Sequence, residues 1–341
     1  MTLFNIKKRI AFLVLLVPLS LLFSSVSNAA TSLRVMTFNI MQLGYQNWDQ
    51  SNRLQRTPNA IRQLNNLPDV IIFNEAFTDS AYSTITSHLA DLYPYSTPVV
   101  GQSCSGYGWH SLNGDCSSSA VVIRGGVFIM SRYPITEQHA YIYRTSHSKT
   151  WDYWANKGAA LVKISKNGMT FNVVGTHLQA DENDAPDAHN YRMNQLKEMN
   201  SWIKNTLQVP SYQPVIIAGD LNVEFSKSQH VNDMKAACQC QLNYIQSNYG
   251  SFSSSTNWVA KANAYSSGFS LFYNDTLDYV MSHNGYKQPR STTNMEVIPL
   301  KSDQSWYWSY LSGSWGQGIY SNGYYSDLSD HYPVVSTFTY Y

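Results

Sequence analysis

Pro214-Val215-Ile216-Ile217-Ala218-Gly219-Asp220-Leu221-Asn222 is an apolar run that ends abruptly in Gly-Asp-Leu-Asn. A short apolar run bounded by turn residues reads as a buried strand. Its polar end is a costly place for a carboxylate unless a cation or donor receives it. If the strand continues through Asn222, the two-residue period sends Asp220 and Asn222 to one face; the plainer reading is an Asp/Asn turn. The pattern recurs along the chain. Arg34-Val35-Met36 leads into Thr37-Phe38-Asn39, and Asp69-Val70-Ile71-Ile72-Phe73 into Asn74-Glu75. Phe171-Asn172-Val173-Val174 precedes Thr176-His177-Leu178-Gln179, while Ser329-Asp330-His331-Tyr332-Pro333 stands ahead of Val334-Val335-Ser336-Thr337-Phe338. Five such segments predict one site assembled from distant parts.

Working outward, strand-like runs span 33–40, 69–75, 121–131, 159–166, 169–176, 214–219, 277–282 and 333–339. Asn167-Gly168 between two of them is a hairpin signal. Helical spacing marks Asn52 to Asn65 and, more clearly, His189 to Asn205 with Met193, Leu196, Met199, Trp202 and Ile203. Strands, hairpins and interspersed helices predict a mixed α/β (α+β) sandwich, not a doubly wound parallel sheet. No long linker divides the chain. The Ser/Asn-rich stretch from Cys238 to Phe272 reads as an extended surface excursion.

Residues 1–30 read as a signal peptide: Lys7-Lys8-Arg9, an uncharged apolar run from Ile10 to Phe23, and small residues for cleavage after Ala29 or Ala30. The run is short for a membrane span; a retained signal anchor is the other reading. Secretion follows, leaving 31–341 as one domain. In an exported chain, Cys104, Cys116, Cys238 and Cys240 suit disulfides better than zinc. Cys104 and Cys116 bracket a short loop and form the preferred pair; for Cys238 and Cys240, cross-pairing or free thiols stay open. Charged residues make up only 13% of the chain and the net charge is +1, which weighs against a polyanion-binding surface and so against nucleic acid as partner.

The segment residues suit phosphodiester hydrolysis. His177 and His331 are acid/base candidates, with Asp220 and Asp330 as carboxylates able to fix tautomers and hold imidazolium charge. Few carboxylates with room for waters suit Mg2+, which would polarise phosphoryl oxygens.

Met36-Thr37-Phe38-Asn39, Asn74-Glu75-Ala76-Phe77, Gly175-Thr176-His177-Leu178-Gln179-Ala180, Gly219-Asp220-Leu221-Asn222-Val223 and Ser329-Asp330-His331-Tyr332-Pro333-Val334 together resemble the endonuclease/exonuclease/phosphatase (DNase I-like) superfamily. Gln46-Asn47-Trp48, the His-Leu-Gln-Ala segment and Arg192-Met193-Asn194-Gln195-Leu196-Lys197-Glu198 are similar to the bacterial neutral sphingomyelinases. The resemblance runs from about Arg34 to about Phe338. It implies a four-layer α/β/β/α sandwich and a Mg2+-dependent site, with other divalent cations as substitutes. Glu75 would be the central metal ligand, with Asn39 close to the metal and its waters. His331 would be the general base assisted by Asp220. His177 and Asn222 would stabilise the phosphate and leaving oxygen, and Asp330 would orient a histidine. The products would be ceramide and phosphocholine, the partner sphingomyelin at a bilayer surface, and the protein a monomer. Relatives with a second, edge cation carry an acidic pair ahead of Gly125-Gly126-Val127; here the residues are Ile123-Arg124, which limits the implication to one cation. The acids after His177 are Asp181-Glu182, and either could match the family acid.

Between Asp303 and Tyr325, Trp306, Tyr307, Trp308, Tyr310, Trp315, Tyr320, Tyr324 and Tyr325 alternate with glycines, and no charge falls between Gln304 and Gly323. Trp and Tyr favour the headgroup zone of a bilayer. Trp306, Tyr307, Trp308 and Trp315 are therefore expected on a membrane-contacting hairpin, which also resembles the sphingomyelinase hairpin in position; a buried β edge or a dimer contact is the alternative. Competing functions are a secreted nuclease using the same site and a pore-forming protein, which would leave the five polar segments unexplained.

Overall fold

Alternation along two long strands decides the layering. In β1 (Thr31–Gln42) and β2 (Val70–Ala76), Leu33, Val35, Val70 and Ile72 face one way, while Met36, Phe38, Ile40, Ile71 and Phe73 face the other. The second set packs under α1 (Gln50–Arg62) and α2 (Asp79–Leu89), through Leu54, Ile61, Ile85 and Leu89. The first set meets the inner face of a second sheet, whose Val162 and Val173 share its core. The computed structural model describes residues 30–44, 48–182, 186–266, 272–312 and 319–341. The signal-peptide reading, Gln46, Asn47 and Trp315 fall outside them.

The chain continues through β3 (Phe128–Ser131), β4 (Ile135–Ile142), β5 (Gly158–Lys166), β6 (Met169–His177), α3 (Ala188–Ser201), β7 (Val215–Asp220), α4 (Ser228–Cys238), α5 (Trp258–Ser266) and β8 (Asp278–His283). It ends with β9 (Lys301–Ser312), β10 (Ile319–Asp327) and β11 (Val334–Tyr340). The first sheet is ordered β11-β1-β2-β3, extended on both sides by short strands, and the second is ordered β8-β7-β6-β5-β4. Strands β5, β6 and β7 are apolar on both faces because α3 and α4 cover the outer side with Met193, Leu196, Met199 and Met234. The result is helices, sheet, sheet, helices. Gly175 lets the sheets approach: a Cβ there would stand 2.8 Å from Ile72 Cγ2 across the gap.

Each expected strand run is found, although 121–131 splits into Ile123–Arg124 and β3 at Gly125-Gly126, where Gly126 has φ 76°. Asn167 and Gly168 take φ 50° and 77° and join Lys166 to Met169 as the two-residue hairpin requires. The helix expected from His189 to Asn205 is α3 followed by a π turn, Trp202–Thr206. Cys104 pairs with Cys116, and Cys238 with Cys240.

Two expectations are corrected. The described part of Cys238–Phe272 is a surface excursion only in part: Tyr244, Tyr249 and Phe272 are exposed, but the middle of the stretch turns inward. Ser251, Phe252, Ser253, Ser254 and Asn257 are buried. Short hydroxyls and amides there satisfy loop backbone: Ser251 Oγ accepts from Leu277 N and Asp278 N, and Asn257 Nδ2 donates to the Ser329 carbonyl. The hairpin of β9 and β10 also differs from expectation. Trp306 and Trp308 are 7% and 6% exposed and join the core under α1, with Trp306 Nε1 donating to Asp49. They therefore do not form a membrane-facing surface. Alternation turns Tyr307 and Tyr324 outward instead, at 56% and 73% exposure.

Trp306→Ala is expected to cost about 3–5 kcal/mol of stability, read as a lower urea midpoint. An unchanged midpoint, with activity lost on vesicles alone, would restore the membrane reading of this residue.

Candidate active site

Strand direction gathers the polar residues at one edge. Strands β1 and β2 run parallel, as do β6 and β7, so Asn39, Glu75, His177 and Asp220 all lie where their strands end. Antiparallel β5, β8 and β11 begin at that same edge, which brings in Lys157, Asp278 and His331 from the residues at or before their starts. Within the second sheet His177 pairs with Asp220, and Asp220 with Asp278, in one row across three strands. Strict alternation would aim Glu75 at the helix-covered face of the first sheet, after Ile71 and Phe73. Its left-handed φ of 59° turns the carboxylate to Asn39 instead. Such a conformation costs about 1–3 kcal/mol in a non-glycine residue and is concentrated at functional sites.

Asn39 Nδ2 donates to both Glu75 Oε1 (2.9 Å) and Asp220 Oδ2 (3.0 Å), bridging the two sheets. Its Oδ1 accepts from Met41 N. Asp220 Oδ2 stands 3.7 Å from His177 Nε2 and 3.8 Å from His331 Nε2, between the two imidazoles. The strand does not continue past Asp220. Asn222 has φ 51°, donates its backbone N–H to Asp220 Oδ1, and ties its side chain to the Leu178 carbonyl. The Asp/Asn turn is therefore the correct local reading, yet the turn keeps both residues beside His177.

The histidine-orienting carboxylate is Asp278, not Asp330. His331 Nδ1 donates to Asp278 Oδ2 at 2.7 Å, while Asp330 accepts from Asn263 (2.7 Å) and Ser329 (3.1 Å). The chain bends at Ser329 and Asp330, and the Asp330 carboxylate is turned to Asn263 and Ser329 and away from the His331 ring. Phe252 packs edge-on against the His331 ring, 5.3 Å between centroids. Arg53, fully buried, donates to the carbonyls of Ile40, Met41, Trp48 and Leu328, tying α1 to the ends of β1 and of the His331 loop.

His177 and His331 are driven apart electrostatically. Burial, then Lys157 and His331, hold the His177 imidazole well below its ordinary value, so it is neutral. Lys157 Nζ lies 3.2 Å from His177 Nε2, also donates to the Leu178 carbonyl, and is ion-paired with Asp152 at 2.7 Å. Burial lowers His331 too, but Asp278, Asp220 and Asp330 outweigh it and raise the net value well above the ordinary one. Of the acids after His177, Asp181 is paired with Arg192 and Glu182 accepts from Trp151 N. Arg124, in place of an acid, is ion-paired with Asp79.

The donor set fits a hard divalent cation. Ligand atoms of Glu75, His177 and Asp220 lie within 4.8 Å of one another, as do those of Asp220, Asp278 and His331. Burial and then Asp330 push Glu75 up to about 7; burial and then Asp278 push Asp220 to about 6. Carboxylates crowded this closely resist ionising together unless a cation joins them. Oxygen donors suit Mg2+ or Mn2+. Glu75 would hold it, with Asn39 and Asp220 adjacent.

Asp278, Lys157 and Arg53 are not anticipated from the sequence. Asp278 carries the same signal as the five segments, a carboxylate beside the apolar Tyr279-Val280-Met281, but on the leading side of an antiparallel strand.

Residues 36–331 match the Endonuclease/Exonuclease/phosphatase family, and the chain belongs to it, within the group of bacterial sphingomyelinases C. It is 33% identical over 325 residues to sphingomyelinase C of Bacillus cereus, covering 91% of this chain and 90% of that one. It is 33% identical over 312 residues to a phospholipase C of Staphylococcus aureus, covering 89% and 86%. Among solved structures, a mutant beta toxin of Staphylococcus aureus with bound magnesium ions is similar at TM-score 0.78 and 30% identity, over 90% of this chain and 99% of that one.

Because Glu75 binds its proton more tightly folded than unfolded, metal-free protein loses stability as pH rises from the ordinary carboxylate range through about 7. Glu75→Gln removes that loss. In EDTA, the Tm of the variant should gain on that of the wild type between about pH 5 and pH 8. A difference that stays flat with pH would show that Glu75 is not held in this state.

Proposed function

We propose that this chain is a secreted, Mg2+-dependent sphingomyelin phosphodiesterase that releases phosphocholine and leaves ceramide in the membrane. The observation that carries the chemistry is the row His177–Asp220–Asp278 facing Asn39 and Glu75, with His331 held to Asp278 at 2.7 Å. The substrate rests on the relatives named sphingomyelinase C, and the low charge supports a lipid over a nucleic acid. Among the described residues no helix is long and apolar enough to cross a membrane. Residues 1–30 direct export, and 31–341 act as one monomeric catalytic domain.

When bound, Mg2+ polarises the phosphoryl oxygens and offsets the charge that develops on them. In its neutral form, which a cation beside the Glu75 and Asp220 carboxylates would favour by opposing the imidazolium charge, His331 takes a proton from the attacking water at Nε2. Asp278 fixes its tautomer by accepting from Nδ1, and Asp220 holds the imidazolium that results. Neutral His177 and Asn222 donate to the phosphate and the departing ceramide oxygen without adding charge. Asn39 keeps the Glu75 and Asp220 carboxylates in register. Asp330 shapes the field around Glu75 and His331, with its own hydrogen bonds made to Asn263 and Ser329.

Purified mature protein, with and without EDTA, should be offered sphingomyelin vesicles, phosphatidylcholine vesicles and plasmid DNA. Phosphocholine release from sphingomyelin alone, lost in EDTA, is the expected result; DNA nicking without lipid hydrolysis would sink the reading. His331→Ala should abolish turnover and leave vesicle binding intact. Asp278→Asn should lower kcat by about 10²–10⁴-fold; a loss of that size on Asp330→Asn alone would return the orienting role to Asp330.

A further inference from the structure

The tryptophans expected at the membrane, Trp306 and Trp308, are buried, but a different set of aromatics is not. The 3-10 turn Trp151–Trp154 exposes three of its four side chains: Trp151 at 71%, Tyr153 at 47% and Trp154 at 44%. The strand Ile123–Arg124 pairs with Ala155–Asn156 immediately after that turn and adds Ile123 and Val121, both exposed. Exposed aromatic and aliphatic side chains are thus brought together by this pairing, with Tyr153 and Trp154 packed edge to face. The fourth residue of the turn, Asp152, points inward. Its carboxylate accepts from Ala180 N and Gln179 Nε2 and is ion-paired with Lys157, whose Nζ is 3.2 Å from His177 Nε2. The exposed rings therefore sit on a turn anchored by Asp152, the one residue of the four that reaches toward the active-site histidine.

We infer that the turn Trp151–Trp154, with Val121 and Ile123, is a bilayer-contacting surface that seats the mouth of the active site on the membrane. The inference rests on the lipid-substrate reading above. A surface of this kind has a particular composition: Trp and Tyr at the headgroup level, with basic side chains among lipid phosphates. Between Tyr141 and Lys157 the charged residues are Arg144, Lys149, Asp152 and Lys157. Asp152 and Lys157 neutralise each other inside, which leaves the exposed Arg144 and Lys149 on this segment, against one carboxylate at the turn, Glu182, which accepts from Trp151 N. A soluble phosphodiester would need no apolar apron here. A lipid whose phosphate lies at the bilayer surface requires the protein to approach that surface closely.

The test uses full-length mature protein and two probes. One is phosphatidylcholine vesicles, read by cosedimentation; the other is a soluble choline phosphodiester, read by turnover. The combined variant Trp151→Ser, Tyr153→Ser, Trp154→Ser should partition onto vesicles about tenfold or more weaker, while turnover of the soluble substrate stays within about twofold. If the combined variant does not fold, Trp151→Ser alone should still weaken partition several-fold, since Trp151 is the most exposed of the three. Unchanged partition would overturn the inference. Loss of soluble turnover in parallel with vesicle turnover would overturn it too, by showing that the rings support Asp152 instead. Wild-type protein that binds vesicles but never hydrolyses sphingomyelin would instead remove the substrate reading, and is told apart by the wild-type arm alone.

Discussion

Asp220 is buried between two imidazoles, with Asp278 as its strand neighbour and Asn39 of the opposite sheet as its hydrogen-bond donor. Burying a carboxylate in such company is unfavourable unless its surroundings supply donors and positive charge. The rest of the site answers that constraint. Asn39 gives one N–H to Asp220 and one to Glu75, and His331 carries charge between Asp220 and Asp278. A divalent cation beside Glu75 would supply what the protein's own groups do not. The left-handed backbone at Glu75 and the four carbonyls gathered by Arg53 hold the parts in place.

The fold and the site are linked by strand direction. Inner-face rows that are apolar through the middle of the sandwich, such as Leu33-Val35 and Val70-Ile72, become polar at one end as Thr37-Asn39 and Asn74. Asn74 spans the gap, donating to the Thr176 carbonyl on the facing sheet while accepting from Thr37. The same two-residue period that builds the hydrophobic core therefore delivers amides and carboxylates to its rim.

Much of this was legible in the residues because buried strands leave a simple pattern. Apolar runs ending in Asn39, Glu75, His177 and Asp220 mark parallel strands whose ends share an edge. Asp278 and Lys157 stand at or before the starts of antiparallel strands, as His331 does, but neither carries the Asp-His pair that marks that segment. For Asp330, adjacency to His331 along the chain suggests a contact that the bend at Ser329 and Asp330 does not make, since the carboxylate is taken up by Asn263 and Ser329. Trp306 and Trp308 show the limit of composition: an aromatic hairpin reads alike whether its rings face lipid or the core, and only packing against α1 decides. Ser251, Ser254 and Asn257 show the converse, since their polar side chains serve buried backbone and not solvent.

The central claim is that the joined sheet ends form a site completed by one divalent cation at Glu75. Crystals grown or soaked with Mn2+ and recorded for anomalous scattering test it most directly. A single strong peak bonded to the Glu75 carboxylate, beside Asn39 and Asp220, is the predicted result. No peak there, or peaks only on surface carboxylates such as Asp91 and Asp303, would contradict the account.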